Sequence, residues 1–292
     1  MTYEEFKKEL FRNISFQEDG RYFSETGGLG YLGRAVREDY LRTRWTGKRL
    51  QERNSVEVQV LYERYKKDGW QGVLSEIWQG KKAFEEQLIL RPLNYHLNRE
   101  ELLEGIYWRF GDIALALYAQ LYGAGNDSVM KVRRYMVDKM NMHPEKMLIN
   151  GLLNTNLKMP PRLFLAGDIR FTYGWQDGVF MPGEKGKCIV ITAEDAEEGI
   201  RGYRLTTVNM KNGAVAIFYP GVAERLSELL EGDYYVGFIS VHEAVIHPVR
   251  CKDVDEMKAS IHHINAVYDE KDMLSNQVYR YYSKRRKLLE IQ

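Results

Sequence analysis

Ser240, His242 and Glu243 stand together in the run Ser240-Val241-His242-Glu243. Serine, histidine and a carboxylate are the types from which a nucleophile, its general base and the orienter of that base are built. Such a group would make a hydrolase-like site. Strand parity opposes it. In one regular strand Ser240 and His242 share a face while Glu243 points to the other. If the run is instead a turn between two strands, the three can converge, and their simpler work is then to hydrogen-bond the turn backbone. The structural reading is preferred, because a triad is recognised by geometry and not by sequence order.

A second group with chemical potential is the basic segment 34–53, RAVREDYLRTRWTGKRLQER. It carries Arg34, Arg37, Arg42, Arg44, Lys48, Arg49 and Arg53 against Glu38, Asp39 and Glu52, so seven positive less three negative charges leave a local +4. Tyr40 and Trp45 are interleaved. Cations neutralise phosphates and aromatic rings stack on bases, which makes single-stranded nucleic acid a candidate partner. The preferred alternative is a solvated helix face, the usual home of mixed charge. Just before it, Gly27, Gly28, Gly30 and Gly33 cluster in GGLGYLG, but the run matches neither the dinucleotide pattern nor a Lys-Ser/Thr ending, and an ordinary turn is expected.

Metal and cofactor chemistry find no motif. The six histidines include no HExxH, and His242 and His247, five apart, fall on opposite faces of a continuous strand. His262 and His263 diverge on a helix. The two cysteines, Cys188 and Cys251, match no metal spacing and suit a reducing cytoplasm better than a disulfide framework. With 292 residues and a formal charge of +1, the chain can hold two modest cores and has no global field to draw it onto nucleic acid or membrane. The amphipathic start MTYEEFKKEL is no leader, and no apolar run spans a bilayer. A soluble, cytoplasmic protein is expected, without metal or cofactor.

Local patterns give the elements that must position these residues. Thr2 and Glu5 form a capping box for a first helix. Val56, Val58 and Val60 alternate as a short strand, and Val73, Leu74, Ile77 and Trp78 share a helical face. Asn98 with Glu101 caps a buried helix over 102–122, Asp127 caps another running to Met140, and Pro144 opens a third. Met130, Met136, Met140 and Met147 read as core filling. The prolines of LKMPP end the helical pattern, so the expected division is a mainly helical lobe at 1–158 and an α+β lobe at 159–292. Long loops surround the strand-like CIVIT at 188–192. The centre of the second lobe, 204–249, reads as β-β-α-β-β, with a hairpin turn at Asn212-Gly213 and a helix on the stripe Val222, Leu226, Leu229 and Leu230, stopped at Gly232. A helix over 255–267, a short strand and a basic tail from Lys284 to Lys287 close the chain.

The chain resembles a family of bacterial proteins known only as a domain of unknown function. The segments that carry the likeness are RPLNYHLNREELL, FGDIALALY, the LLNT before the prolines, NGAVAIFYPGVAERLSELL, Ser240-Val241-His242-Glu243 and LSNQVYRY, across most of 56–292. Where the family usually has proline-serine-serine, this chain has Phe238-Ile239-Ser240, and 20–53 follows no family pattern. The resemblance implies a bacterial cytoplasmic protein, often encoded near mobile elements, and supplies no mechanism. The reading is therefore an α+β accessory or interaction protein with a protein partner. Its alternatives are nucleic-acid binding through 34–53 and a hydrolase around Ser240, His242 and Glu243.

Overall fold

A computed structural model describes residues 1–15, 40–44, 53–78, 81–120, 129–139, 142–165, 181, 202–265 and 271–291. The fold is α+β with antiparallel sheets and a helical N-terminal region. Two compact units form, one from Met1–Leu90, Glu101–Tyr107 and Leu117–Asn154, the other from Arg91–Glu100, Trp108–Ala116 and Thr155–Gln292.

Helix α1 (Tyr3–Asn13) begins with the expected capping box: Thr2 Oγ1 accepts the Glu5 N–H at 3.2 Å and Glu5 accepts the Thr2 N–H at 2.7 Å. That carboxylate is held below its ordinary pKa chiefly by the Thr2 backbone bond. Phe6 and Leu10 are buried, and Phe6 stacks on Trp70 at 5.5 Å. After β1 (Ile14–Ser15), β2 (Tyr40–Arg44) pairs antiparallel with β3 (Arg53–Glu57). Helix α2 (Val58–Trp78) breaks at Gly69, whose φ of 62° needs a residue without a Cβ. Helix α3 (Lys81–Gln87) leads into β4 (Leu88–Asn94), and α4 (Arg99–Leu102) comes next.

The helix expected over 102–122 is instead a hairpin, β5 (Tyr107–Phe110) and β6 (Ile113–Gln120), turned by Gly111 at φ 58° and Asp112. Seven of the eight β6 residues are buried, and a continuous apolar run has no period to separate strand from buried helix. The helix expected from Asp127 is likewise shorter, with β7 (Val129–Lys131) preceding α5 (Arg134–Lys139). Met130, Met136 and Met147 are buried as core filling, and Met140 lies outside the described residues. Helix α6 (Pro144–Lys158) starts at its proline as expected. The first sheet runs β1-β7-β6-β4, with β5 also on β6.

The second unit holds a six-stranded antiparallel sheet, and β8 (Pro161–Leu165) and β9 (Tyr203–Thr207) pair along five residues at one of its edges. The strand expected after Asn212-Gly213 is a 3₁₀ helix (Gly213–Phe218), so the unit reads β-3₁₀-α-β-β. Asn212 does take the left-handed turn conformation, at φ 52°. The run from Gly213 to Ile217 is buried on every side, so it never had a strand's two faces. Helix α7 (Val222–Leu229) buries Val222 and Leu226 as its stripe implies. Then come β10 (Tyr234–Gly237), β11 (Ala244–Pro248), α8 (Val254–Asn265), β12 (Val278–Tyr282) and β13 (Lys287–Glu290), in the sheet order β13-β12-β10-β11-β9-β8. The basic tail is thus the turn of a β12–β13 hairpin. Helix α8 packs Met257 and Ile261 against Tyr235, Ile239, Val245 and Val278.

Candidate functional site

Strand β10 ends at Gly237 and β11 begins at Ala244, so Ser240, His242 and Glu243 sit in the six-residue connection between antiparallel neighbours. Each is fastened to a different part of the second unit. Ser240 is 1% exposed, and its hydroxyl accepts the backbone N–H of His242 at 3.1 Å, closing a local turn. The His242 carbonyl accepts the Thr206 hydroxyl at 2.7 Å. Its ring Nδ1 accepts the Asn212 N–H at 3.2 Å, which assigns the proton of the neutral ring to Nε2. Nε2 stands 3.6 Å from Asp272 Oδ1. Glu243 meets Arg204 Nη1 at 2.7 Å, with the carboxylate nearly buried.

The backbone is stitched from both sides. The Ala214 N–H donates to the Val241 carbonyl at 3.2 Å, Val241 donates to the Asp272 carbonyl at 2.8 Å, and Ser275 donates to the Phe238 carbonyl at 3.1 Å. The connection is therefore wedged between the start of the 3₁₀ helix and the chain leading into β12.

The three side chains come together in sequence but not as a relay. The Ser240 hydroxyl meets the backbone of His242, the lone pair a general base would use on Nδ1 is engaged by Asn212, and Glu243 faces Arg204. The ring accepts a backbone N–H, and the carboxylate takes a guanidinium. We expect His242→Ala and Glu243→Ala each to cost about 1–3 kcal/mol, since each strands a polar partner. The thermal unfolding midpoint of each variant beside wild type is the measurement, and unchanged midpoints for both would refute the assignment.

Sequence reasoning passed over a carboxylate of the second unit that ties two buried hydroxyls together. Asp112, in the β5–β6 turn, accepts the Ser275 hydroxyl at 2.8 Å and the Tyr279 hydroxyl at 2.7 Å, and its carbonyl accepts the Tyr95 N–H at 2.7 Å. Ser275 and Tyr279 are fully buried. Burial first, then the Asp112 carboxylate, pushes the Tyr279 phenol well above its ordinary pKa, so it remains a donor. Nearby, the Asn94 amide donates to the Leu274 carbonyl at 2.9 Å and accepts the N–H groups of His96 and Leu97, each at 2.9 Å. The signal lay in the motifs. Asn94 belongs to RPLNYHLN, Asp112 to FGDIALALY, Ser275 and Tyr279 to LSNQVYRY, Asn212 to NGAVAIFYPGVAERLSELL, and His242 to the segment that also holds Ser240. Segments that carry the resemblance are bonded to one another.

In the basic segment, Arg42 and Arg44 lie on β2 and Arg53 on β3, with Arg44 opposite Arg53 in the ladder. The described part of the segment, 40–44 and 53, is therefore strand and not the helix face expected. Arg34, Arg37, Trp45, Lys48, Arg49 and the glycines 27–33 lie outside the described residues, as do Cys188 and the strand-like 188–192. Among the described residues no three His, Cys, Asp or Glu side chains gather as metal ligands, and no helix is long and apolar enough to cross a membrane.

Neither the curated proteins nor the solved structures contain a match to this chain. A family model does match, over residues 55–283, and it takes in the junction around His242, the Asp112 network and every motif segment that carries the resemblance, so the chain belongs to the Family of unknown function (DUF5688).

Proposed function

We propose that the protein is a non-enzymatic accessory or interaction protein of the bacterial cytoplasm, associated with mobile elements, and that it engages a protein partner through α6. The observation that carries this reading is a stripe of large apolar side chains left in solvent. Ile149, Leu153 and Leu157 are 45%, 44% and 81% exposed, at four-residue spacing along one helix. Neighbouring positions at this spacing form one ridge, the surface that packs into a partner groove. Isolated exposed apolar residues need no explanation, whereas a ridge of three supports the reading of an interaction face.

The border of the ridge points to protein rather than lipid. Asn150, Asn154 and Asn156 flank it, with Lys146 and Lys158 only towards its ends. A helix lying on a membrane surface wants a cationic polar face, whereas amides around an apolar centre resemble the rim of a protein interface. The engagement of the His242 lone pair by Asn212 weighs against the hydrolase alternative.

A photo-crosslinking residue at Ile149 tests the reading. It should yield a discrete protein adduct in cells, abolished when Leu153 and Leu157 both become lysine while the thermal midpoint holds. An adduct indifferent to those lysines, or none at all, would refute the role of α6. An adduct with a second copy of the chain would make the partner the protein itself.

A further inference from the structure

We propose that the β12–β13 turn is a binding site for the phosphate backbone of nucleic acid. Five cations fall within eight residues, Arg280, Lys284, Arg285, Arg286 and Lys287, on a chain whose formal charge is only +1. Residues 284–287 are all exposed. Among the described residues, Lys284, Arg285 and Lys287 have no carboxylate partner, while Arg286 reaches Glu224 at 3.2 Å on the surface.

The loop is held in shape. Asp233 accepts Arg280 at 2.7 Å and takes both the backbone N–H and the hydroxyl of Ser283, at 2.9 and 2.7 Å. The guanidinium groups of Arg280 and Arg285 lie 4.7 and 5.7 Å from the centre of the Tyr282 ring. The Arg285 N–H donates to the Tyr282 carbonyl at 3.1 Å and the Arg286 N–H to that of Ser283 at 3.3 Å, consecutive turns that fix the tip. A cation presented on an ordered loop loses less freedom on binding than one on a tail.

Arg286 supplies a second, independent sign. Its φ of 51° is the left-handed conformation that closes such loops, and glycine or asparagine normally fills that place. Strained positions of this kind gather at binding sites. An arginine held there keeps a third adjacent cation at the tip.

The chemistry favours nucleic acid over other polyanions. A duplex carries one charge for about every 1.7 Å of its axis, a density that adjacent cations can match, and guanidinium forks fit phosphate oxygens bidentately. A membrane would be met by cations beside an apolar wedge, yet the turn itself is Ser283, Lys284, Arg285 and Arg286. The residues of this turn are distinct in sequence from the segment 34–53 and from α6.

The test uses the full chain and a fluorescent DNA duplex of about 20 base pairs, titrated across salt concentrations. Wild type should bind at low salt. The variant Lys284→Ala/Arg285→Ala/Lys287→Ala should flatten the slope of log affinity against log salt by about 2.7, at about 0.9 for each phosphate no longer neutralised. Should that variant unfold, Lys284→Ala alone should flatten it by about 0.9. Arg286→Gly should bind the duplex more weakly while melting higher, because glycine relieves the backbone; a merely structural arginine would not show both changes. Vesicles of phosphatidylserine and phosphatidylcholine, and poly-glutamate, serve as the competing polyanions. No duplex binding, an unchanged slope, or tighter binding to either competitor than to the duplex would overturn the site.

Discussion

Replacing Asp112 with alanine should destabilise the protein by about 3 kcal/mol, the largest loss expected from any single side chain in the network it organises. The carboxylate accepts two hydroxyls, those of Ser275 and Tyr279, and neither donor is exposed to water that could replace it. A buried donor left unsatisfied costs about 1–3 kcal/mol, and hydrogen bonds to a charged acceptor lie at the strong end of the range. At roughly 2–4 °C per kcal/mol for a unit of this size, the midpoint should fall by about 10 °C. Asp112→Asn should lose less, since one amide oxygen still accepts. Tyr279→Phe in the alanine background should then add little, because the two residues share one interaction. Thermal unfolding of the two single variants and the double variant measures this. An additive double variant would mean that the hydroxyl of Tyr279 is satisfied without Asp112.

How far the sequence led depends on whether a segment has two distinguishable faces. Helix α7 was legible because Val222 and Leu226 face inward while Glu228 faces water, and α1 because its capping box is local chemistry. Strands β10 and β11 were legible as apolar runs bounded by turn residues. Strand β6 and the 3₁₀ helix were not, for the same reason in opposite directions. Both are buried almost throughout, so neither IALALYAQ nor GAVAIF shows the period that would identify it.

The candidate site was half legible. Turn chemistry identified Asn212 and the residues around His242 as structural positions, but Arg204 is 39 residues from Glu243 and Asp112 is 163 from Ser275. Pairings at such separations are created by the sheet, and no local pattern announces them. What the sequence did hold was the set of motif segments, and the bonds of Asn94, Asp112, Asn212 and His242 give a physical reason for segments so far apart to go together.

Gly213→Ala should be at least as damaging, with a cost of about 4 kcal/mol, because this glycine is where the 3₁₀ helix touches the His242 connection. A Cβ there would collide with Thr206 Oγ1 and with the His242 carbonyl oxygen, the two ends of a 2.7 Å hydrogen bond. Thr206 is 1% exposed and has no free volume to enter. The carbonyl cannot retreat, since Val241 on one side is bonded to Ala214 and Asp272, and Glu243 on the other is paired with Arg204. Overpacking costs about 1–3 kcal/mol and the broken buried hydrogen bond about as much again. Removing the hydroxyl should therefore recover part of the loss, so that Gly213→Ala/Thr206→Ala melts above Gly213→Ala alone. Gly105 supplies the control: the nearest atom to its added Cβ lies at 3.4 Å, and Gly105→Ala should leave the midpoint almost unmoved. The comparison is thermal unfolding of all three variants. A Gly213→Ala protein melting beside Gly105→Ala would mean that the connection carrying Ser240, His242 and Glu243 yields easily, and the rigid junction assigned to those residues would have to be given up.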